Sequence, residues 1–244
     1  MKKHLVSLAV AAAAIGLSSA ALAEAIVVRS TGPSAATYPV GRRLPATERV
    51  VLRAGDRVVL VGEGPTRTIS GPGNFPVRGT AGASQNRSTT LNRYLSTTGG
   101  TISRTGAVRG AGDAAVASAP NLWVVNVAQG GTFCVADMAN VTLWRPDMTQ
   151  DALLTVVDTA DPAAPSPLAF VAGQNFRRWP GDALPIAEGR TYRITGTGMA
   201  EPVEMSFVAI GAPPAEPEAI AATLADKGCA GQLAQLGERL ADGA

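Results

Sequence analysis

The sequence predicts a mainly β protein: a small antiparallel β domain, then a β-sandwich with a C-terminal helical tail. Three observations carry this. Short β-branched runs such as Val50-Val51-Leu52 and Val58-Val59-Leu60-Val61 recur between breaks rich in Gly and Pro. About seven more such runs fill residues 121–210, which suits a small sandwich. Beyond Pro217 the apolar spacing lengthens to three and four residues, the helical period.

Residues 1–23 read as a signal peptide. Lys2 and Lys3 form a positive start, residues 5–20 carry no charge, and Ala21-Leu22-Ala23 gives the small-residue cleavage pattern. The alternative is an uncleaved anchor over residues 5–23. Cleavage after Ala23 makes the chain periplasmic or secreted, and no later stretch is apolar enough to cross a bilayer. Processing also removes two of the three lysines and the single histidine, His4. Nineteen basic and nineteen acidic residues remain, a net charge of zero. Without an imidazole, Ser-His-Asp and Cys-His catalysis are excluded, as are His-ligated metals. No cofactor motif stands out.

Residues 24–80 form the first β domain. Strands are expected at residues 25–29, 48–53, 56–61 and 66–70, with a tight connection at Ala54-Gly55 and a turn at Gly71-Pro72-Gly73-Asn74. Residues 81–119 are rich in Ser, Thr, Gly, Ala and Arg. They read as a flexible connection, with a short helix over 84–96 carrying Leu91, Tyr94 and Leu95. Residues 120–212 form the sandwich. Strands at 122–127 and 131–135 flank a hairpin-like loop at 128–130, and the Pro-rich run 161–167 reads as a surface loop. Residues 213–244 form the helical tail. Pro217 opens one helix, Lys227-Gly228 stops it, and Cys229, Leu233, Leu236 and Leu240 share a face of the next. Cys134 and Cys229 are the only cysteines, and an exported chain pairs them as a disulfide that pins the tail to the sandwich.

Charge divides along the chain. Residues 24–112 hold twelve Arg and four acids, a net of +8. Residues 113–244 hold six Arg, one Lys and fifteen acids, a net of −8. Three readings compete: the halves neutralise each other, the basic half docks an anionic partner, or the surface is simply solvated. Arg favours bidentate pairing with carboxylates and phosphates.

Gly62-Glu63-Gly64 and Gly71-Pro72-Gly73 lack the Gly-Lys-Ser ending of a phosphate loop, so they read as turns. Asp147, Asp151, Asp158 and Asp161 fit no EF-hand spacing and read as strand ends, with a glycosidase-type pair as the alternative. Trp123 and Trp144 sit in apolar strands and read as core. Trp179, next to Arg177 and Arg178, reads as an exposed contact. Arg104 and Arg109 lie in a basic loop that is either a linker or an arm that orders on a partner.

The segment Tyr38-Pro39-Val40-Gly41-Arg42-Arg43-Leu44, followed by Leu52-Arg53-Ala54-Gly55-Asp56-Arg57-Val58 and Gly71-Pro72-Gly73, resembles FecR-like domains of bacterial envelope proteins over about residues 26–78. The chain lacks the cytoplasmic segment of the FecR signal transducers, so a sigma-regulating role does not carry over. Residues 121–210 look loosely immunoglobulin-like, without that family's Cys-Trp-Cys spacing. The resemblance implies an extracytoplasmic β scaffold used for binding or assembly. The expected function is a non-enzymatic binding or adaptor module. Its partner is an envelope protein or anionic envelope polymer, with nucleic acid disfavoured. The alternatives are a carboxylate-dependent enzyme acting on glycans and a structural subunit of an envelope assembly.

Overall fold

A computed structural model describes residues 24–79, 89–96 and 119–242. The expected signal peptide and most of the connection, including Arg104 and Arg109, lie outside the described residues.

The chain is mainly β, as its patterning predicts. The first unit contains β1 (Glu24–Thr31), β2 (Arg43–Pro45), β3 (Arg49–Leu52), β4 (Arg57–Gly62), β5 (Arg67–Ser70) and β6 (Gly73–Pro76). An antiparallel sheet runs in the order β2-β1-β4-β5, and β3 pairs with β6 as a separate ribbon. The turn at residues 53–56 is tight, with Asp56 N–H donating to Arg53 C=O at 3.1 Å. Its flanking strands nevertheless enter different sheets. The chain turns a corner there, so Val50 and Leu52 pack onto Val58 and Leu60 in one core. Within β4, Val58 to Val61 are all buried, as a strand covered on both faces requires.

The short helix α1 (Thr89–Leu95) precedes the second unit, which holds β7 (Val125–Asn126), β8 (Gly131–Val135), β9 (Thr142–Trp144), β10 (Ala152–Asp158), β11 (Asp161–Phe170), β12 (Phe176–Arg178), β13 (Thr191–Gly196) and β14 (Val203–Ala209). A five-stranded sheet, β11-β10-β13-β14-β8, faces a three-stranded one, β12-β9-β7. Their shared core includes Phe133, Leu143, Leu154, Phe170, Tyr192, Ile194 and Phe207.

Two local expectations are corrected. Residues 128–130 do not close a hairpin: β7 runs parallel to β9, and β8 runs parallel to β14. The Pro-rich run is strand β11 rather than a loop. It lies at the sheet edge, where one side of the backbone has no neighbouring strand among the described residues and proline is tolerated.

The C-terminal helices are α2 (Pro217–Asp226) and α3 (Ala230–Asp242). They are not a tail on the sandwich alone. They fill a third core between the units, where Ile26, Val28, Val59 and Val61 of the first sheet meet Ile220, Leu224, Leu233, Leu236 and Leu240. Tyr94 and Leu95 of α1 join it. At the α2–α3 junction Gly228 takes φ +73°, Gly228 N–H donates to Ala225 C=O at 3.2 Å, and Cys229 N–H donates to Leu224 C=O at 2.8 Å. This left-handed cap satisfies carbonyls of the last turn of α2 and turns the chain directly into α3. Gly237 lets α3 lie against β1: a Cβ there would sit 2.6 Å from the Val28 carbonyl carbon.

Candidate functional site

Cys134 and Cys229 form a disulfide with Cα atoms 5.8 Å apart, and both residues are fully buried. Beside it, α3 supplies a polar clamp. Gln232 accepts from Cys134 N–H at 2.6 Å and donates to Cys134 C=O at 3.0 Å and Leu122 C=O at 2.9 Å. β8 is an edge strand, and the Gln232 amide takes the place of a missing neighbour there. Gln235 donates to Gln129, and the Tyr94 hydroxyl donates to Gln235. Burial pushes the Tyr94 phenol above its ordinary value of 10.0. These contacts fix the joint between the units.

The expected contact cluster around Trp179 separates. Trp179 is buried, 4 % exposed, which corrects the exposed reading. Its backbone N–H donates to Val141 C=O, which extends the β12–β9 pairing and turns the next side chain inward. The indole donates to Leu184 C=O at 2.7 Å and packs edge-on against Tyr192 and Phe207, at 5.0 and 5.1 Å. Arg177 and Arg178 remain exposed on β12. Arg178 donates to the side-chain oxygen of Asn140, whose amide donates to Asp137. That bond from Asn140, with one from Ala139, holds Asp137 below its usual 3.8. Arg177 makes no side-chain hydrogen bond or ion pair among the described residues.

Asp147, Asp151, Asp158 and Asp161 lie at turns and strand ends of the sandwich. Asp147 accepts from the Thr149 backbone and hydroxyl, Asp151 from Ala172 N–H, and Asp158 from Ala160 N–H while pairing with Arg190 at 3.0 Å. Each of these three organises a turn or strand end. Asp161 opposes Asp158 in the β10–β11 hairpin. Among the described residues no group of three or more His, Cys, Asp or Glu side chains is placed to hold a metal ion.

The first unit presents its arginines differently. Arg42 pairs with Glu48 at 2.8 Å, and Arg43 pairs with Asp226 across the joint. Arg67 donates to the carbonyls of Pro76 and Val77, tying β5 to the ribbon. On the ribbon itself, Val50 and Leu52 point inward while Arg49 and Val51 point out. Arg53 follows one step past the strand end and is also exposed. Across from them stand exposed Asn74 and Pro76, with Arg78 beyond. The Arg49 guanidinium is held flat across the ribbon by Asn74, at 2.8 Å to its side-chain oxygen and 2.9 Å to its carbonyl. Among the described residues Arg78 pairs with Glu63 at 4.0 Å, with both side chains at least 70 % exposed. The sequence carried this face as the alternation Arg49-x-Val51-x-Arg53. It was overlooked because the same stretch reads as a hairpin with β4.

Asp56 locks the base of this ribbon. It is buried, and its carboxylate accepts from Ser34 N–H at 2.8 Å and Arg53 N–H at 2.5 Å. Burial opposes its ionisation. The bonds from Ser34 and Arg53 and the nearby Arg53 guanidinium outweigh burial, so its pKa lies below 3.8.

Comparison with protein-family models, curated proteins and solved structures returns no match, so the geometry alone supports a reading.

Proposed function

We propose that this chain is a non-enzymatic binding or adaptor module that works outside the cytoplasm and engages an anionic partner of the bacterial envelope through its basic first unit. One observation supports it most: among the described residues, the ribbon face bearing Arg49, Arg53 and Arg78 carries no exposed carboxylate of its own; Asp56 beside Arg53 is buried and bonded to backbone, and Glu63, 4.0 Å from Arg78, is loosely placed. Guanidinium groups so presented offer cationic, forked hydrogen-bond donors to carboxylates or phosphates. The buried disulfide suits an oxidising compartment. No helix among the described residues is long and apolar enough to cross a membrane. The FecR-like resemblance of residues 26–78 points the same way, toward a β scaffold rather than a catalyst.

The test is capture from native envelope fractions on immobilised mature protein at low and high salt. The reading expects an envelope component retained at low salt, released at high salt, and lost when the ribbon arginines become glutamine. Retention that ignores both salt and these substitutions, or no retention at all, would refute it.

A further inference from the structure

We infer that the outward face of the β3–β6 ribbon is a docking strip for an extended anionic polymer, a glycan chain bearing carboxylates or phosphates. This rests on the binding role proposed above and specifies its ligand. Three features of the strip favour a linear polymer over a folded acidic protein.

The first is size. Paired strands lie about 4.8 Å apart and rise about 3.4 Å per residue, so four pairs make a strip roughly 14 Å long and 10 Å wide. That is on the order of 150 Å², whereas a stable protein interface needs about 500 Å² or more per partner. The second is composition. Val51 is the large hydrophobic side chain exposed on the strip, at 56 %. An isolated valine supplies no buried aromatic or aliphatic anchor of the kind that dominates protein interfaces. The third is spacing. Arg49 and Arg53 sit four residues apart along an extended line, roughly 14 Å, and Arg78 extends the opposite strand. The cations therefore lie in a row, and Asn74 fixes the orientation of the first. A row of cations matches charges that recur along a chain, and the fixed fork of Arg49 reduces the ordering cost of binding there.

The strip is also anchored. Asp56 holds the Arg53 backbone, Arg67 holds the Pro76 and Val77 carbonyls, and Val51 N–H donates to the Tyr38 hydroxyl at 2.9 Å. A polymer can press on the ribbon without peeling it from the sheet beneath.

The experiment uses the mature chain with its disulfide formed, and three polymers: polygalacturonate for carboxylates, polyphosphate for phosphates, and uncharged dextran. Calorimetric titration at several salt concentrations reads affinity and its salt slope. Wild type is expected to bind at least one anionic polymer and not dextran; which one binds identifies the ligand group. The variant Arg49→Gln/Arg53→Gln/Arg78→Gln should lose at least tenfold in affinity, with a salt slope smaller by roughly one per arginine removed on a densely charged polymer. Arg53→Gln/Arg78→Gln leaves the Arg49–Asn74 contacts intact and covers the case in which the triple variant misfolds. Arg190→Gln/Arg193→Gln, on the second unit, matches the double variant's charge change and should bind as wild type.

Failure of both anionic polymers to bind overturns the inference, as does equal loss in the Arg190/Arg193 control. If the ribbon variants lose a captured envelope protein while no polymer binds, the polymer assignment falls and the binding role stands. If envelope capture itself fails, the broader proposal falls separately.

Discussion

Gln232→Leu tests whether the joint depends on polar pairing or only on packing. Leucine is close to glutamine in size and stays buried. The change strips partners from Cys134 N–H, Cys134 C=O and Leu122 C=O. Leaving a buried backbone group unpaired costs about 1–3 kcal/mol, and carbonyls tolerate it better than N–H groups, so the three losses sum to roughly 3–6 kcal/mol. Leucine regains about 1 kcal/mol from apolar burial and helix propensity. The net loss is about 2–5 kcal/mol, a large part of the roughly 5–15 kcal/mol that holds a typical domain. At about 2–4 °C per kcal/mol for a chain of this size, calorimetry of the oxidised protein should show Tm falling by roughly 4–20 °C. Gln232→Glu is the companion. A carboxylate still accepts from Cys134 N–H and cannot donate to either carbonyl, so its deficit should narrow as acid protonates it. A Leu variant within about 1 °C of wild type would refute the idea that this amide substitutes for a β8 neighbour.

Three shorter predictions follow. Gly237→Ala should destabilise by about 1–3 kcal/mol in chemical unfolding, because α3 must lift from Val28, even though alanine is the better helix former by about 1 kcal/mol. Asp56→Asn should flatten the acid limb of the stability profile. The folded pKa of Asp56 lies below 3.8, so its contribution is complete above the unfolded value and disappears as pH falls through the folded one; melts in that acid range should show wild type losing stability that the Asn variant never had. Reduction of the buried Cys134–Cys229 bond should be slow in the native state and fast once denaturant opens it, and Cys134→Ser/Cys229→Ser should lose about 4–5 kcal/mol on the loop-entropy model for a 95-residue separation.

Much of the fold was legible because its signals are local. The β-branched runs of β1, β4, β10 and β13, the Lys227-Gly228 stop and the phase of Leu233, Leu236 and Leu240 follow from backbone sterics and period. The choice of strand partner is not local. β3 and β4 are joined by a tight turn and look like a hairpin, yet Val51 N–H goes to Tyr38 while β3 pairs with residues 73–76. Pro162, Pro165 and Pro167 argue against a central strand, and only the topology shows that β11 has a free side. Trp179 misleads for the same reason: Arg177 and Arg178 beside it are exposed, and only the tertiary packing against Tyr192 and Phe207 shows that the ring is buried. Of the candidate site, net charge was legible and presentation was not. Composition alone cannot tell Arg42, paired with Glu48, from Arg53, whose guanidinium stands exposed.

The helices raise the question whether the two β units are separable. Residues 26, 28, 59 and 61 of the first sheet are buried against α2 and α3, at 4 % exposure or less. Removing the helices would bare four β-branched side chains, each worth about 1.5–3 kcal/mol when buried, or roughly 6–12 kcal/mol together. That equals or exceeds the stability a domain of under 60 residues commands, and it leaves an apolar face on a sheet whose β4 is built for cover on both sides. Residues 24–80 expressed alone should therefore fail to fold or should self-associate, although a linker is expected immediately after them. The same segment should be folded in the full chain, where the disulfide holds α3 to β8 while Gly237 seats it on β1. Amide NMR spectra of the fragment and the full chain make the comparison. A monomeric, well-dispersed fragment spectrum that overlays on the corresponding part of the full-chain spectrum would show that the first unit is autonomous and that the helical layer is dispensable to it.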